Sequence, residues 1–406
     1  MLALQNAPQL EDVLNSGEQP TVSEVADTLW DVIIVGAGPA GSMTAMSLAA
    51  YDHSVLLVDR AYFPRYKVCG CCLNLAAIRT LEQAGLWGLV DEGRARPLDS
   101  VDLFAFGRHA KLSLPGGFAI SRTALDSALI DSALRRGVTF LPGARAEFEA
   151  ADATGCRIRF RTVQEAGSIQ ARVVVCADGL GGSFLKNHPR FKPITAKNSR
   201  VGLGCIYPDS IPGLRGGAIR MCIGSKGYVG TVQLEDGTFD IAAALDPEAI
   251  GKEGTSPADA INSILSQSGV PEIPELAVQD WKGTPRLTRH RPSLGDERIF
   301  VVGDAAGYVE PFTGEGIAWA LMSASLVAPL VRDAIVRWTP NLLAEWHEIR
   351  GSHIRHRQRV CRVVCRALRS PLICQVLLPL LSRRPCWAGP VITMLNESID
   401  RKALKL

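Results

Sequence analysis

The stretch Asp31-Val-Ile-Ile-Val35, followed directly by Gly36-Ala-Gly38-Pro-Ala-Gly41, decides the fold of this 406-residue chain. Its first part is short, apolar and β-branched, which is typical of a strand buried in a parallel sheet. Helix-forming residues follow over positions 40–51, and a second buried strand is predicted over 54–58. Residues 30–59 therefore predict one βαβ unit whose first turn is rich in glycine.

The GxGxxG turn lies between a strand and a helix, which is the context that a dinucleotide-binding fingerprint requires. Gly36 permits a tight turn, Gly38 lets the backbone approach a pyrophosphate, and Gly41 permits close helix packing. The positive end of the helix dipole favours an anion at this point. Asp59 ends the second strand and can accept hydrogen bonds from ribose hydroxyls. A dinucleotide site is predicted, and a plain glycine-rich turn is the alternative. The candidate residues are Gly36, Gly38, Pro39, Ala40, Gly41, Asp59 and Arg60.

Two later strands end in turns that carry an aspartate: Val173-Val-Val-Cys-Ala-Asp178-Gly179 and Ile299-Phe-Val-Val-Gly303-Asp304-Ala-Ala-Gly307. With the GxGxxG turn, these motifs make residues 30–338 resemble FAD-dependent oxidoreductases of the geranylgeranyl reductase and flavin-dependent halogenase group, which is related to the para-hydroxybenzoate hydroxylase type. The resemblance implies FAD as the cofactor. It implies that Asp178 and Gly179 lie near the pyrophosphate, and that Gly303 and Asp304 lie at the ribityl chain. Formation of an Asx turn is the alternative role of each aspartate.

A glycine loop, Pro311-Phe-Thr-Gly314-Glu-Gly316, precedes a long helix predicted over 316–336. A helix N-terminus favours negative charge, and reduced flavin is negative near N1 and O2, so this helix end would stabilise the reduced anion. The resemblance places the loop beside the isoalloxazine ring. Its candidate flavin-binding residues are Pro311, Gly314, Glu315, Gly316 and Ile317. Because neither Glu310 nor Glu315 has a partner visible in the sequence, we expect both to be exposed loop acids.

The segment Phe63-Pro-Arg65-Tyr-Lys67-Val-Cys69-Gly70-Cys71-Cys72 resembles a segment that passes close to the flavin in this group. The resemblance implies that Arg65 and Lys67 hold phosphate or ribityl oxygens, that Gly70 borders the cofactor, and that Cys69 is a catalytic thiol. A working Cys69–Cys72 disulfide, a metal ligand and plain buried packing are the alternatives, although no metal site is predicted. Arg122 matches a position from which relatives contact FAD, and a solvated first-turn arginine is its alternative.

Alternating strands over 202–206, 218–223, 228–234 and 239–244 predict a second, antiparallel sheet. Tyr228 occupies the position of the substrate segment of relatives and is a candidate substrate residue. The Trp-x-Trp-x-Ile-Pro motif of halogenases does not occur, and Gly307 stands where hydroxylases have histidine, so the reductase branch is favoured. The predicted fold class is α/β, with a Rossmann-like FAD-binding domain, an antiparallel β substrate domain and a helical C-terminal region. The predicted divisions are a flexible acidic extension (1–28), a discontinuous FAD-binding domain (29–100, 120–195 and 284–338), a substrate domain (101–119 and 196–283) and the helical C-terminal region (339–406).

The charge distribution restricts the partners and the location. The net charge of +3 is too small to favour nucleic acid as a partner. The first cationic residue is Arg60, which argues against a secretory signal, and eleven cysteines suit a reducing cytosol. No spanning segment is predicted, because the longest strongly apolar run, 371–381, is too short. Arginines from Arg355 to Arg369 recur at helical spacing, which predicts peripheral membrane contact or, alternatively, a solvated face. The predicted location is cytoplasmic, with the inner face of the membrane as a variant.

These features together predict an FAD-dependent oxidoreductase that resembles geranylgeranyl reductases. Its expected reaction is the reduction of a double bond in a hydrophobic isoprenoid- or polyketide-like substrate, with NAD(P)H or another electron donor as transient reductant. One alternative is a monooxygenase that hydroxylates an aromatic or polyketide-like ring. Another is a flavin-binding partner protein without catalytic activity.

Overall fold

The computed structural model of the chain describes residues 20–90, 94–250, 255–310 and 312–398. The helices in these residues are α1 (Val22–Ala26), α2 (Pro39–Ala49), α3 (Leu75–Gln83), α4 (Arg122–Leu134), α5 (Pro257–Ser268), α6 (Gly316–Val336), α7 (Asn341–Arg350), α8 (His356–Leu368), α9 (Pro371–Arg383) and α10 (Gly389–Asn396). The strands are β1 (Leu29–Val35), β2 (Val55–Val58), β3 (Cys72–Asn74), β4 (Arg96–Pro97), β5 (Ser100–Ala105), β6 (Arg108–Ser113), β7 (Gly117–Ala119), β8 (Thr139–Leu141), β9 (Arg145–Ala151), β10 (Cys156–Arg161), β11 (Ala166–Cys176), β12 (Ile194–Thr195), β13 (Val201–Tyr207), β14 (Ala218–Gly224), β15 (Gly227–Gln233), β16 (Phe239–Leu245), β17 (Lys282–Arg286), β18 (Arg289–His290), β19 (Gly295–Asp296), β20 (Ile299–Val301) and β21 (Gly307–Tyr308).

The first large sheet contains the strand order β19-β20-β11-β1-β2-β8, and β10 and β9 branch from β11. β1 pairs in parallel with β2 and β11, and β11 pairs in parallel with β20. Strands from three distant parts of the chain therefore end at the same edge of one sheet. α2 packs between α4 and α6 on this sheet, where the side chains of β1 and β2 are buried. The parallel β1-α2-β2 arrangement confirms the predicted α/β fold with a Rossmann-like unit.

The second large sheet has the order β17-β13-β16-β15-β14-β5-β6. The predicted antiparallel meander from β13 to β16 is confirmed, but β5 pairs with β14 in parallel. This parallel pair is possible because a long crossover joins the two strands, which a hairpin could not do. α5 covers one face of the sheet, and α9 contacts β5 and β6. The domain boundaries given above stay a prediction.

The sequence predicts that the N-terminal extension is flexible or loosely docked; residues 20–28 include the docked helix α1, and residues 1–19 lie outside the described part. α1 begins with a capping box, in which Thr21 and Glu24 exchange side-chain to backbone hydrogen bonds. Glu165 accepts hydrogen bonds from the backbone of Val22 and Ser23 and so ties α1 to the turn before β11. Acidic composition suggested a solvated tail, but the cap and this distant carboxylate hold the helix in place.

The C-terminal region is helical, as predicted, and the long helix α6 that precedes it belongs to the core. Within the described residues, α6 is long and apolar enough to cross a membrane, but 72% of its apolar window is buried inside the protein. A second candidate arises only if α9 and the helical run before it, which meet at a 105° bend, are counted as one span. The burial of α6 is that of a core helix.

Candidate flavin site

The glycine turn after β1 is closed tightly against the end of β11. Gly36 has a φ of +107°, and a Cβ built on it would lie 2.3 Å from the carbonyl oxygen of Ala177. A Cβ on Gly41 would lie 1.7 Å from the carbonyl oxygen of Gly36. The Gly36 amide donates to the carbonyl of Val58, at 2.7 Å. These two glycines are therefore required for the backbone to pack.

Gly38 differs from both, because a Cβ there would make only ordinary van der Waals contacts and would meet no backbone atom. The nearest atoms would be the guanidinium nitrogens Nη2 of Arg122 and Nη2 of Arg65, at 3.7 and 3.9 Å. Gly38 is the N-cap of α2, with Pro39 as the first helical residue and no side-chain cap hydrogen bond. A helix N-terminus with room in front of it and two guanidinium groups beside it fits a pyrophosphate.

Asp59 supports the turn from the neighbouring strand. Its Oδ2 accepts a hydrogen bond from the Ala37 amide at 2.8 Å, and its Oδ1 accepts from the Ala61 amide at 2.9 Å. Each oxygen keeps a second lone pair, so these bonds leave acceptor capacity for a hydroxyl. Contact with ribose stays a prediction. Arg60 is exposed and points past the turn that contains Gly181.

The predicted cations Arg65, Lys67 and Arg122 come together in front of the glycine turn. Arg122 donates to both carboxylate oxygens of Asp126, at 2.9 and 2.7 Å, and Arg65 lies 3.5 Å from the same carboxylate. Burial and the charge of Arg122 lower the pKa of Lys67, while Asp304 opposes that shift. Burial raises the pKa of Asp304, and Lys67 and Arg122 act against it. Three cations that are poorly solvated would be stabilised by a bound diphosphate.

The Asp178-Gly179 turn lies against the glycine turn, since a Cβ on Gly36 would also reach the Cα of Asp178, at 2.9 Å. The Asp178 carboxylate accepts from the Phe184 amide at 2.9 Å and from the Cys176 thiol at 3.2 Å. The side chain thus organises its own turn, which supports the Asx alternative. Gly179 has a φ of +72° and faces Lys67, whose Nζ would lie 3.2 Å from a Cβ there.

The Gly303-Asp304 turn approaches the same helix start. A Cβ on Gly303, whose φ is +58°, would lie 2.8 Å from the Cβ of Ala40. The Val302 amide donates to the carbonyl of Cys176, which aligns the ends of β20 and β11. The three motifs predicted from separate parts of the sequence therefore converge on one edge of the sheet.

The predicted thiol Cys69 lies in this cleft and keeps part of its surface accessible. A hydrogen bond from Cys71 and the positive charge of Arg122 lower its pKa, although burial acts in the opposite direction. The same hydrogen bond and burial raise the pKa of Cys71, so that this thiol retains its proton. Cys72 is also a free thiol and donates to the carbonyl of Gly70, which is itself exposed. Within the described residues, no group of metal-binding side chains is found.

Asp240 is a buried acid that the sequence interpretation missed. It lies on β16, in the face opposite to the apolar cluster beneath α5, and it is 1% exposed. Burial and Cys69 raise its pKa well above the ordinary value, while a hydrogen bond with Cys71 acts against this shift. The charge of Asp240 also contributes to a raised pKa of Tyr66, after the larger effect of burial. A single acid among apolar residues in Phe239–Leu245 is the sequence signal that marks it.

A cavity of about 540 Å³ opens beside this cluster, between the start of α4 and the second sheet. Tyr66, Cys71 and Arg122 border it, together with Glu235. The Ser121 hydroxyl and amide both donate to Glu235, which connects the start of α4 to the second sheet.

The glycine loop before α6 corrects the expectation that its acids are exposed. Glu310 is 2% exposed and lies 2.9 Å from Nη1 of Arg200 and 3.0 Å from Nη2 of Arg369. Arg200 also donates to Asp246. These partners are remote in sequence, which is why the loop gave no sign of them. The pairs connect the loop to the second sheet and to the end of α8.

Glu315 is fully buried at the start of α6. Burial raises its pKa to about 7, while Arg357, 3.8 Å away, and the hydroxyl of Thr313 act against that shift. Gly314 has a φ of +72°, Gly316 is the first residue of α6, and Ile317 is buried. Pro311 lies outside the described residues.

Tyr228 meets the glycine loop from the second sheet. Its ring centroid lies 5.0 Å from that of Phe312, with the two rings nearly perpendicular. The guanidinium carbon of Arg200 lies 5.6 Å from the Tyr228 ring. The predicted substrate residue is thus placed at the junction of loop and sheet.

Known proteins show similarity over most of the chain. The model of the family described as FAD binding domain matches residues 30–356. A menaquinone reductase from Mycobacterium tuberculosis is 31% identical over 349 residues, which cover 79% of this chain and 81% of that protein. A digeranylgeranylglycerophospholipid reductase from Methanopyrus kandleri is 25% identical and covers 75% and 78%.

Solved structures share the fold at lower identity. A geranylgeranyl bacteriochlorophyll reductase-like protein from Thermoplasma acidophilum has a TM-score of 0.76 at 18% identity, covering 90% of this chain and 95% of that one. A flavin-dependent brominase has a TM-score of 0.77 at 16% identity, covering 91% and 94%. The predicted cofactor class and enzyme class are confirmed. The chain belongs to the FAD-binding-domain family and is an FAD-dependent oxidoreductase of the group that contains geranylgeranyl reductases and flavin-dependent halogenases.

Proposed function

We propose that the protein reduces a carbon–carbon double bond in the isoprenoid portion of a hydrophobic lipid. The observation that carries this proposal is an apolar cluster that joins the second sheet, the glycine loop and the C-terminal helices. Met221, Tyr228 and Ala244 represent the sheet in this cluster, Phe312 the loop, and Leu378 the helices. Burial of a chain of CH₂ and CH₃ groups against such a surface lowers the free energy of binding.

The face of the second sheet that looks toward the cleft also has little side-chain volume. Gly204, Gly230 and Ala242 are neighbours across β13, β16 and β15. A Cβ on Gly204 would lie 2.7 Å from the hydroxyl of Tyr66, and one on Gly230 would lie 3.0 Å from the sulfur of Met221. These glycines let Tyr66 and Met221 pack directly against the sheet, and a larger residue at either position would displace them.

The residues that would hold FAD divide into a phosphate set and a ring set. The phosphate set comprises Gly36, Gly38, Pro39, Ala40, Gly41, Asp59, Arg60, Arg65, Lys67, Arg122, Asp178 and Gly179. The ring and ribityl set comprises Cys69, Gly70, Gly303, Asp304, Pro311, Gly314, Glu315, Gly316 and Ile317. When bound, FAD supplies hydride, drawn from NAD(P)H or another donor.

Reduction of an alkene also requires a proton at the second carbon, and the thiol pair can provide it. Cys71 keeps its own proton and stabilises the Cys69 thiolate, whereas Cys69, the stronger acid of the pair, can take up a proton from solvent and pass it to the substrate carbon. Cys69 is partly accessible, whereas Cys71 is buried, so Cys69 is the group placed to meet substrate. The net change is two electrons and two protons: a hydride forms one C–H bond and a proton forms the other.

The names of the relatives support an isoprenoid lipid as substrate, and we propose a cytoplasmic location that borders the membrane because such a substrate dissolves in lipid. The two reductases described above are named for a menaquinone and for a digeranylgeranylglycerophospholipid, which are both lipids. The 31% identity with the first extends over four fifths of both chains, so the similarity is not confined to the nucleotide motif.

A monooxygenase is the second candidate. A ubiquinone hydroxylase from Rhodospirillum rubrum is 24% identical over 369 residues, which cover 83% of this chain. Against it, the position after Gly-Asp-Ala-Ala is Gly307 rather than the histidine of the hydroxylase type.

Steady-state turnover in an oxygen electrode distinguishes the two. The holoprotein receives NADPH or NADH and an isoprenoid quinone, and the product is weighed by mass spectrometry. We expect a product whose isoprenoid side chain has gained two hydrogens that remain after the quinone ring is reoxidised, without stoichiometric oxygen uptake. Oxygen uptake that matches product, with the gain of one oxygen atom, contradicts the reductase proposal. Failure of every reductant to bleach the flavin would instead favour a non-catalytic flavin protein.

A further inference from the structure

Helix α9 is apolar on two opposite faces. Its inner face packs against β5 and β6 through Cys374, Leu378 and Leu381. Its outer face exposes Leu372 (75%), Ile373 (44%), Val376 (63%) and Leu380 (37%). Gln375 is the only residue of α9 with an amide side chain, and Arg383, the last residue of the helix, is the only charged one. A helix that is apolar all round is normally buried, so the outer face is suited to an apolar environment.

The exposed apolar surface continues beyond α9. Val363 is exposed near the end of α8, and Trp387 is exposed after α9. Six of the fourteen large apolar side chains that are exposed in the described residues lie between positions 363 and 387. We name this surface, formed by Val363, Leu372, Ile373, Val376, Leu380 and Trp387, the apolar patch. Such a concentration is typical of an interaction surface.

Arginines flank the apolar patch along the chain, and no carboxylate occurs between positions 350 and 384. Arg359 and Arg366 share a helical face with Val363 and are exposed, and Arg383 and Arg384 are exposed between Leu380 and Trp387. Residues 350–384 contain nine arginines and no Asp or Glu. Aliphatic side chains between arginines match the acyl boundary and the anionic headgroups of a lipid leaflet.

The sequence predicted membrane contact through the helix from Arg355 to Arg369, with the apolar stretch 371–381 beside it, and the burial of part of the arginine helix favours α9 as the main contact. Arg357 is buried and donates to the carbonyl of Leu395, and Arg369 is paired with Glu310. The buried faces of α8 and α9 therefore belong to the protein interior, and the apolar patch is what remains exposed.

The inner face of α9 belongs to the same apolar cluster as Tyr228, Tyr308 and Phe312. Helix α9 therefore lies between the cleft and the apolar patch. We infer that the apolar patch docks on an anionic lipid bilayer, so that a lipid-dissolved substrate enters beside α9. The route to the cleft rests on the proposed function, whereas the docking itself does not.

Flotation of the holoprotein with lipid vesicles tests the docking. Vesicles of phosphatidylcholine alone are compared with vesicles that also contain phosphatidylglycerol. We expect wild-type protein to bind the anionic vesicles and Leu372→Glu/Val376→Glu to bind at least about tenfold more weakly, because two carboxylates would enter the interface. The control Val163→Glu/Val278→Glu changes charge equally at positions that are at least as exposed, and it should bind within about twofold of wild type. Retained FAD absorbance and circular dichroism verify folding.

The arginine contribution is tested in the same way. Arg383→Gln/Arg384→Gln should lower binding to anionic vesicles by about tenfold and leave weak binding to neutral vesicles unchanged, because each basic residue near an anionic surface adds attraction. Arg157→Gln/Arg161→Gln, on exposed positions of β10, is the matched control and should bind as wild type.

Three results would overturn the docking: no binding by wild type, equal binding by Leu372→Glu/Val376→Glu, or a wild-type dimer that this variant dissociates while vesicles bind neither protein. The last result would assign the apolar patch to a second copy of the chain. Turnover of a short, water-soluble alkene without vesicles separates the two proposals. Vesicle binding without turnover would contradict the reductase proposal but not the docking proposal. Turnover without vesicle binding would contradict the docking proposal alone.

Discussion

The proposed phosphate end and the proposed ring end of the flavin site are built in different ways. At the phosphate end, Gly36, Gly38 and Gly41 act through the backbone, and their spacing is readable in six consecutive residues. At the ring end, the glycine loop is held by Glu310 and Glu315, whose partners come from distant parts of the chain. One site can therefore combine a local sequence motif with ion pairs between residues that are distant in sequence, and no motif reveals those pairs.

The largest effect is expected at the phosphate end. Gly38→Val should fold, since a Cβ there would lie at ordinary contact distance from two guanidinium groups and from no backbone atom, but the side chain would occupy the space of the pyrophosphate. We expect FAD affinity to fall at least about a thousandfold, equivalent to about 4 kcal/mol, measured by fluorescence titration. Gly41→Val is the comparison variant and should fail to fold, because its Cβ would meet the backbone of Gly36. A yellow, tightly loaded Gly38→Val protein would refute the assignment.

The next effect concerns the support of the ring end. Arg200→Met removes one partner of the buried pair with Glu310, which leaves a carboxylate with Arg369 alone. Loss of one partner of a buried pair should lower the free energy of unfolding by about 4 kcal/mol, measured by urea denaturation. Arg190→Met, which breaks an exposed pair with Asp296, should cost less than about 1 kcal/mol. Equal losses in the two variants would mean that the Glu310 pair does not support the loop.

A pH-dependent effect should follow from Glu315. Burial raises the pKa of Glu315 from that of an ordinary glutamate to about 7. At any pH between these two values, the folded protein keeps a proton on Glu315 that the unfolded chain has released. Stability should therefore fall as pH rises through that window and level off above it. Glu315→Gln cannot ionise, so relative to wild type it should gain up to about 3 kcal/mol over this range. Thermal unfolding of both apoproteins between about pH 4 and about pH 9 measures this difference in stability. A difference that does not vary with pH contradicts a neutral Glu315.

The smallest effect concerns the reactivity of Cys69. Its lowered pKa predicts more thiolate at neutral pH, and therefore alkylation about tenfold faster than that of the exposed Cys386. Iodoacetamide labelling across a pH series, followed by peptide mass spectrometry, gives the rate of each cysteine. Arg122→Gln should move the Cys69 midpoint upward, because it removes a positive charge next to the thiolate. A Cys69 that reacts more slowly than Cys386 at every pH would contradict the thiolate assignment.

Much of the fold was predictable because its elements are locally consistent. The helix predicted over 316–336 has the observed bounds, and the four predicted strands of the second sheet agree with β13 to β16 to within one or two residues. The sequence also predicts two strands over 156–178 joined by a turn at 165–168, which places the turn too late. Thr162 accepts from the amide of Glu165 and closes the turn earlier, so that β11 already begins at Ala166.

The support of the site was less predictable because burial depends on tertiary contacts. Glu310 looked like a loop acid, yet Arg200, 110 residues away, neutralises it. Arg122 and Asp126 are spaced four residues apart on one helix, so their bidentate pair was available from the sequence. Asp240 carried the signal of an acid in an apolar strand, but its partner Cys71 could not be read from spacing.

An anaerobic single-turnover experiment tests whether the protein is a reductase whose cleft is shared by flavin and an isoprenoid chain. The holoprotein is reduced without oxygen, mixed with an isoprenoid quinone, and followed by flavin absorbance and product mass. The account predicts that the oxidised flavin spectrum returns without oxygen and that the product gains two hydrogens in its side chain. Return of the spectrum only after oxygen is admitted, with one oxygen atom gained by the product, would contradict it.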